Sequence, residues 1–263
     1  MKQACTVLLF AGLFLLTQTA TSQTSKSAIA KDTKKTMNWT TSSDKAKKLA
    51  MEGANHLMNV ETYQAYDDLE AAIKLDPKFT VALVFMTNMS RGETRKAYAE
   101  KVKKSLDGKT AGEKLFASIV DPNSNAEKNR DIWAKLYEMF PDGTMIGHYY
   151  VVTRATPEER MKAANEYLAR FPEQPAMHNT IAYYYMQDQK DMAMAKKHFD
   201  KYLAMYADGY NPYDSMGEYY LTVGDKENAK KYYNMALDKY PFNSSSIEAL
   251  NKMNEEAKAA EKN

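Results

Sequence analysis

The side chains in this sequence most suited to acid-base or metal chemistry are four histidines, His56, His148, His178 and His198. Imidazole is the side chain that titrates closest to neutrality, and either ring nitrogen ligates metals. His178 and His198 fall in consecutive helical stretches of one hairpin and are expected to approach each other. No further histidine or cysteine lies nearby to complete a zinc shell, which takes three or four protein ligands. The adjacent acidic residues Glu158 and Glu159, and Glu255 and Glu256, sit at a helix start and on the last helix. Neighbours on a helix point about 100° apart, so neither pair makes a shared carboxylate site. The phosphate and dinucleotide glycine loops, the HExxH zinc signature and the GxSxG nucleophile turn are all missing. The expectation is therefore no catalytic residue, no metal and no cofactor.

What remains is aromatic surface. The chain has 19 tyrosines and 17 methionines. The tyrosines cluster at Tyr149 and Tyr150, Tyr183 to Tyr185, Tyr219 and Tyr220, and Tyr232 and Tyr233. On a helix, one tyrosine of each group can enter the core while another turns elsewhere. Lysine runs such as Lys101, Lys103 and Lys104, or Lys230 and Lys231, alternate with acidic residues and read as solvated faces. Lys and Arg total 36 against 34 Asp and Glu, a net charge of +2, so bulk charge gives no reason to expect nucleic acid.

The elements that carry these residues are helices. Apolar residues recur at three- and four-residue spacing over stretches of about 10 to 16 residues. Short polar breaks such as "SRGE", "PDGT" and "VGDK" separate them. With 10 glycines and 8 prolines in 263 residues, the chain has too few turn formers for an all-β fold. Stretches end at Pro77, Gly108, Pro141, Pro172, Ala207 and Pro241, at intervals of 31, 33, 31, 35 and 34 residues. A near-fixed period in this range marks a helical repeat array.

The last unit carries Tyr213, Met216, Gly217, Tyr220, Ala229, Tyr233 and Pro241 in register. The unit before it has Ile181, Ala182, Tyr185, Ala195 and Phe199, with a turn one residue longer. The first has Leu49, Gly53, Ala65, Leu69 and Pro77. These residues resemble the tetratricopeptide repeat family, whose pattern is W-x2-L-G-x2-Y…A-x3-F…P over 34 residues. The resemblance runs by period over residues 44–243. By motif it is best at 46–77, 175–207 and 210–243, whereas hairpins 80–172 keep the length and have mostly lost the signature. It implies an all-α, right-handed α-solenoid of about six helix-turn-helix hairpins, with residues 244–263 as a capping helix and tail.

In such arrays the first helices of the hairpins line a concave surface where peptides and proteins bind. By that resemblance the lining here includes Asn88, Lys114, Tyr149, Asn179, Tyr183, Met186, Asp214 and Glu218. The implied role is a non-enzymatic scaffold or adaptor for a protein or peptide partner. Two other readings are an envelope-assembly or cell-wall-associated factor, and a small-ligand binder or enzyme built on the array. An exposed Tyr183 in an open groove suits the adaptor; a closed pocket around His178 and His198 suits the small-ligand reading.

The N-terminus reads as an export signal, with Lys2, an apolar run from Val7 to Leu16, and cleavage after Ser22. Cleavage removes Cys5, the only cysteine, and leaves no stable membrane span. The cysteine-free remainder would be held by packing alone, in the periplasm or outside a bacterial cell. Residues 23–43, rich in Ser, Thr and Lys, read as a flexible polar leader. The triplets at Asn38, Asn88 and Asn243 fit glycosylation acceptors only in a eukaryotic secretory pathway.

Overall fold

Several helix starts in this chain carry side-chain caps. The Ser43 side chain accepts from the Ala46 N–H and opens the first helix. Thr110 with Glu113, and Thr156 with Glu159, form reciprocal capping boxes, which accounts for the acidic pair at 158 and 159. The computed structural model describes residues 35–260. It contains α1 (Asp44–Met58), α2 (Thr62–Leu75), α3 (Thr80–Met89), α4 (Gly92–Ser105), α5 (Ala111–Ala117) and α6 (Ala126–Met139). There follow α7 (Thr144–Val152), α8 (Pro157–Arg170), α9 (Pro175–Tyr183), α10 (Met192–Met205), α11 (Asn211–Thr222), α12 (Lys226–Lys239) and α13 (Ser244–Ala260). No strand occurs among the described residues. The export signal and the cut after Ser22 lie outside them.

Consecutive helices pair as six hairpins, and α13 packs on α12 as the terminal cap. Hairpins begin at residues 44, 80, 111, 144, 175 and 211, so successive starts are 36, 31, 33, 31 and 36 apart. The C-caps Asp76, Phe140, Phe171, Tyr206 and Tyr240 each fall one residue before an expected stop. In four of the five the stop is proline, which disfavours helical geometry in the residue before it and carries no N–H; after Tyr206 it is Ala207.

The hairpins close through a small residue facing a ring. A Cβ on Gly217 would sit 2.6 Å from the Tyr233 ring, and one on Gly147 would sit 2.8 Å from the Tyr167 ring. In the first case the partners are 16 residues apart and in the second 20, because in the fourth hairpin the turn is one residue longer and the ring sits three residues further along the second helix. The fifth hairpin absorbs its extra residue as a π-helical turn, Tyr184–Gln189, closed by Lys190 at φ 56°. These contacts make the chain an all-α array of stacked helical hairpins.

Two features depart from a simple stack. The first is the leader. Its described part, residues 35–43, is held and not loose. Met37 is buried and Trp39 packs against Phe79 and Phe85, with ring centroids 6.4 Å away in both cases. Thr40 donates to the buried Glu113 through its N–H (2.6 Å) and its hydroxyl (2.9 Å). Thr41 and Ser42 donate to Asp76. The polar composition that suggested freedom supplies the donors that two sequestered carboxylates need.

The second is curvature. The turn between α1 and α2 reaches the fifth and sixth hairpins. Glu61, 1% exposed, accepts from the Tyr206 hydroxyl (2.7 Å) and from the N–H groups of Tyr210 (2.9 Å) and Asn211 (3.4 Å) at the start of α11. The oxygen that takes the Tyr206 hydroxyl, Oε2, also meets His56 Nδ1 at 2.8 Å. The Tyr202 and Tyr210 hydroxyls donate to the carbonyls of Asn59 and Val60, and Tyr63 stacks on Tyr240. On the other side α1 lies along α7, so Ala46, Ala50 and Ala54 share one core with Met145, Ile146 and Ala176.

Replacing Glu61 by Ala should strand the Tyr206 hydroxyl and two helix N–H groups. The expected loss is about 3 kcal/mol of unfolding free energy in urea titration, with a larger radius of gyration by small-angle scattering. An unchanged midpoint and radius would show that the contact does not hold the first hairpin in place.

Candidate functional site

A wide opening lies where the first hairpin faces the second, third and fourth. It is a cleft of about 1010 Å³. Its walls are aromatic: Tyr63 and Tyr66 from α2, Phe85 from α3, Trp133 from α6 and Tyr149 from α7. Trp133 and Tyr149 stack with centroids 4.8 Å apart and planes inclined 17°. Phe116 braces Trp133 edge-on from behind at 5.6 Å, and Phe85 meets both Phe116 and Tyr149. Burial raises the Tyr149 phenol far above its ordinary value, so it stays protonated as a neutral donor.

The rim is polar and one-signed. Asn88, Asn129, Thr62 and Thr153 contribute uncharged groups, and Arg91 and Arg130 contribute guanidinium groups. No aspartate or glutamate lines the cleft. Arg130 is positioned through its carbonyl, which accepts from Arg154 at 3.1 Å, while Arg154 lies over the Tyr150 ring at 4.2 Å.

The eight residues expected to line one groove are not brought together. Asn88 and Tyr149 share the cleft. Lys114 is exposed on α5, outside it. Tyr183 is half-buried, packs edge-on against Phe199 and donates to Glu218 at 2.7 Å, with its phenol pushed up chiefly by burial. It borders a separate recess of about 210 Å³. Met186 is in the core. Asn179 is buried, with its Oδ1 unbonded among the described residues. Asp214 is buried and accepts from Asn243 and Ser246 at the start of α13, so it anchors the cap. That contact also takes Asn243 off the surface.

Sequence reading missed Trp133, Arg91 and Arg130. Trp133 lies on a second helix and Arg91 in a turn, positions outside the first-helix rule. Trp133 itself, one of only two tryptophans, was the available signal.

His178 and His198 do meet, with Nδ1 atoms 3.1 Å apart. One ring must donate and the other accept, so the pair is stable only with a neutral acceptor. Tyr185 stacks on His198. Burial lowers His178, with Lys201 contributing, and burial followed by His178 lowers His198 to about 4. Burial alone lowers His148 to about 4. His56 goes the other way, raised chiefly by its hydrogen bond to Glu61. Among the described residues no group of three or more His, Cys, Asp or Glu could hold a metal, and no helix is long and apolar enough to cross a membrane.

No protein-family model matches the chain, and no curated protein sequence matches it. Among solved structures it is similar to PilW, described as a widely conserved type IV pilus biogenesis factor, at 13% identity and a TM-score of 0.46, covering 79% of this chain and 99% of that one. It is also similar to the APC/C hetero-tetramer Cut9-Hcn1, at 12% identity and a TM-score of 0.47, covering 79% of this chain and 42% of the other. A third is a thermophilic TPR protein of Thermus thermophilus, at 15% identity and a TM-score of 0.36, with 77% and 95% covered.

The histidines set a pH dependence. For His148 and His198 the folded values lie below the ordinary 6.5. Between the two values the unfolded chain binds more protons, so stability falls as pH drops. His56 is raised, so its contribution is full below 6.5 and is lost as pH rises through its folded value. The melting temperature should fall between about pH 6.5 and about pH 5, above the main carboxylate range. His198→Gln should flatten that fall, and His56→Gln should cost most near about pH 6. Calorimetric melts that keep the same slope in His198→Gln would reject the assignment.

Proposed function

We propose that this chain is an exported, non-enzymatic scaffold that holds a protein or peptide partner in the cleft between its first hairpin and the second to fourth. The observation that carries this reading is the cleft itself: five aromatic side chains from four helices, with Tyr63 and Tyr66 exposed, Trp133 and Tyr149 stacked on each other, and a polar rim. Aromatic groups bury large contact area at low entropic cost and dominate protein interfaces. The stacked rings are already ordered, so a partner does not have to order them on binding. His178 and His198, the best candidates for chemistry, are bonded to each other. Export rests on the Val7 to Leu16 run and the small residues after it.

Two measurements test the two halves of this reading. Cross-linking in cells of the source organism should trap a defined partner on the native chain and on Lys114→Ala. The same partner should be lost from a Tyr66→Ala/Asn88→Ala variant, because both side chains are exposed on the cleft. Equal trapping by the two variants would remove the cleft from the reading. Intact mass of the protein recovered from the envelope or medium should correspond to a chain beginning at Gln23. A chain that keeps Met1 and stays in the cytoplasm would overturn export.

A further inference from the structure

The charge on the cleft rim narrows what it holds. Arg91 and Arg130 both line it, and neither guanidinium makes an ion pair or hydrogen bond with another described residue. Several other cations are committed: Lys96 to Glu93, Lys103 to Glu100, Lys196 to Asp200, Arg170 to Asp142, and Arg95 to the Thr87 carbonyl. The cleft thus has two uncommitted guanidinium groups, no carboxylate among its lining residues, and the stacked pair Trp133 and Tyr149 in its lining.

We propose that the occupant is an acidic segment of a partner protein carrying an aromatic side chain. Its carboxylates meet Arg91 and Arg130, and its ring enters against Trp133 and Tyr149. This rests on the scaffold reading and deepens it by naming the partner's chemistry. Guanidinium groups bind carboxylates through paired, charge-assisted hydrogen bonds, and the ring face opposite supplies the apolar anchor. A cleft of about 1010 Å³ is at the upper end of small-molecule sites and fits several side chains of a peptide. A nucleic acid is disfavoured by the same census. Strand binding needs a basic track along the backbone, whereas the cleft lining holds two cations, Arg91 and Arg130, and no lysine.

The test is selection of phage-displayed random dodecapeptides on the full chain, followed by fluorescence anisotropy of the enriched peptides. The native chain and Lys114→Glu should enrich peptides combining Asp or Glu with Phe, Tyr or Trp. Affinity should fall about tenfold or more in Arg91→Glu/Arg130→Glu, and added salt should weaken it. If the charge-reversed chain loses its cooperative melt, Arg91→Gln/Arg130→Gln is measured in its place, with the same loss expected. Enrichment of basic or uncharged peptides, or acidic peptides indifferent to both variants, overturns this proposal while the scaffold reading stands. Displacement of the peptide by equimolar oligo(dT) overturns the choice of a protein segment. Failure to enrich any peptide overturns the proposal and counts against the scaffold reading as well.

Discussion

The carboxylate of Glu61 is the contact on which the arrangement of this array turns. An anion almost wholly removed from water is costly unless every lone pair is used. Here Tyr206, two N–H groups at the start of α11, and His56 use them. The positive end of the helix dipole adds to the same balance. Because the partners lie about 150 residues away in sequence, the contact turns a chain of nearest-neighbour hairpins into one in which the first also touches the last two. Repeat arrays are ordinarily sums of local interfaces; this one has a long-range constraint as well.

The candidate site follows from that constraint. With the first hairpin held against the fifth and sixth, Tyr63 and Tyr66 of α2 face Phe85, Trp133 and Tyr149 across one cleft. Meanwhile α1 lies along α7, and the first-helix residues of the later hairpins serve packing. Asp214 secures α13, Tyr183 and Glu218 join the fifth and sixth hairpins, and Met186 fills the core. The candidate cleft lies in the space between hairpins, away from the face that the repeat pattern suggests.

Polar groups do more of the structural work than the composition suggests. The Ser- and Thr-rich leader satisfies Glu113 and Asp76, and the two hairpin histidines satisfy each other. In each case the group that could have been surface or chemistry is the partner of another group that burial would have left unbonded.

The sequence by itself determined the local structure. The 31- to 35-residue spacing of stops at Pro77 through Pro241 and the small-residue and ring pairs fixed six helical hairpins and a terminal helix. Helix starts, stops and close approach depend on residues within one unit, so a local pattern suffices for them. Tertiary structure decided the rest. Glu61 reads as an ordinary turn residue until Tyr206, Tyr210 and Asn211 surround it, and Arg91 as an ordinary solvated cation until the cleft forms beside it. The physical reason is range. Periodicity reports which face of a helix is apolar, whereas curvature sums small rotations over six hairpins and is fixed by contacts between residues that no local pattern links.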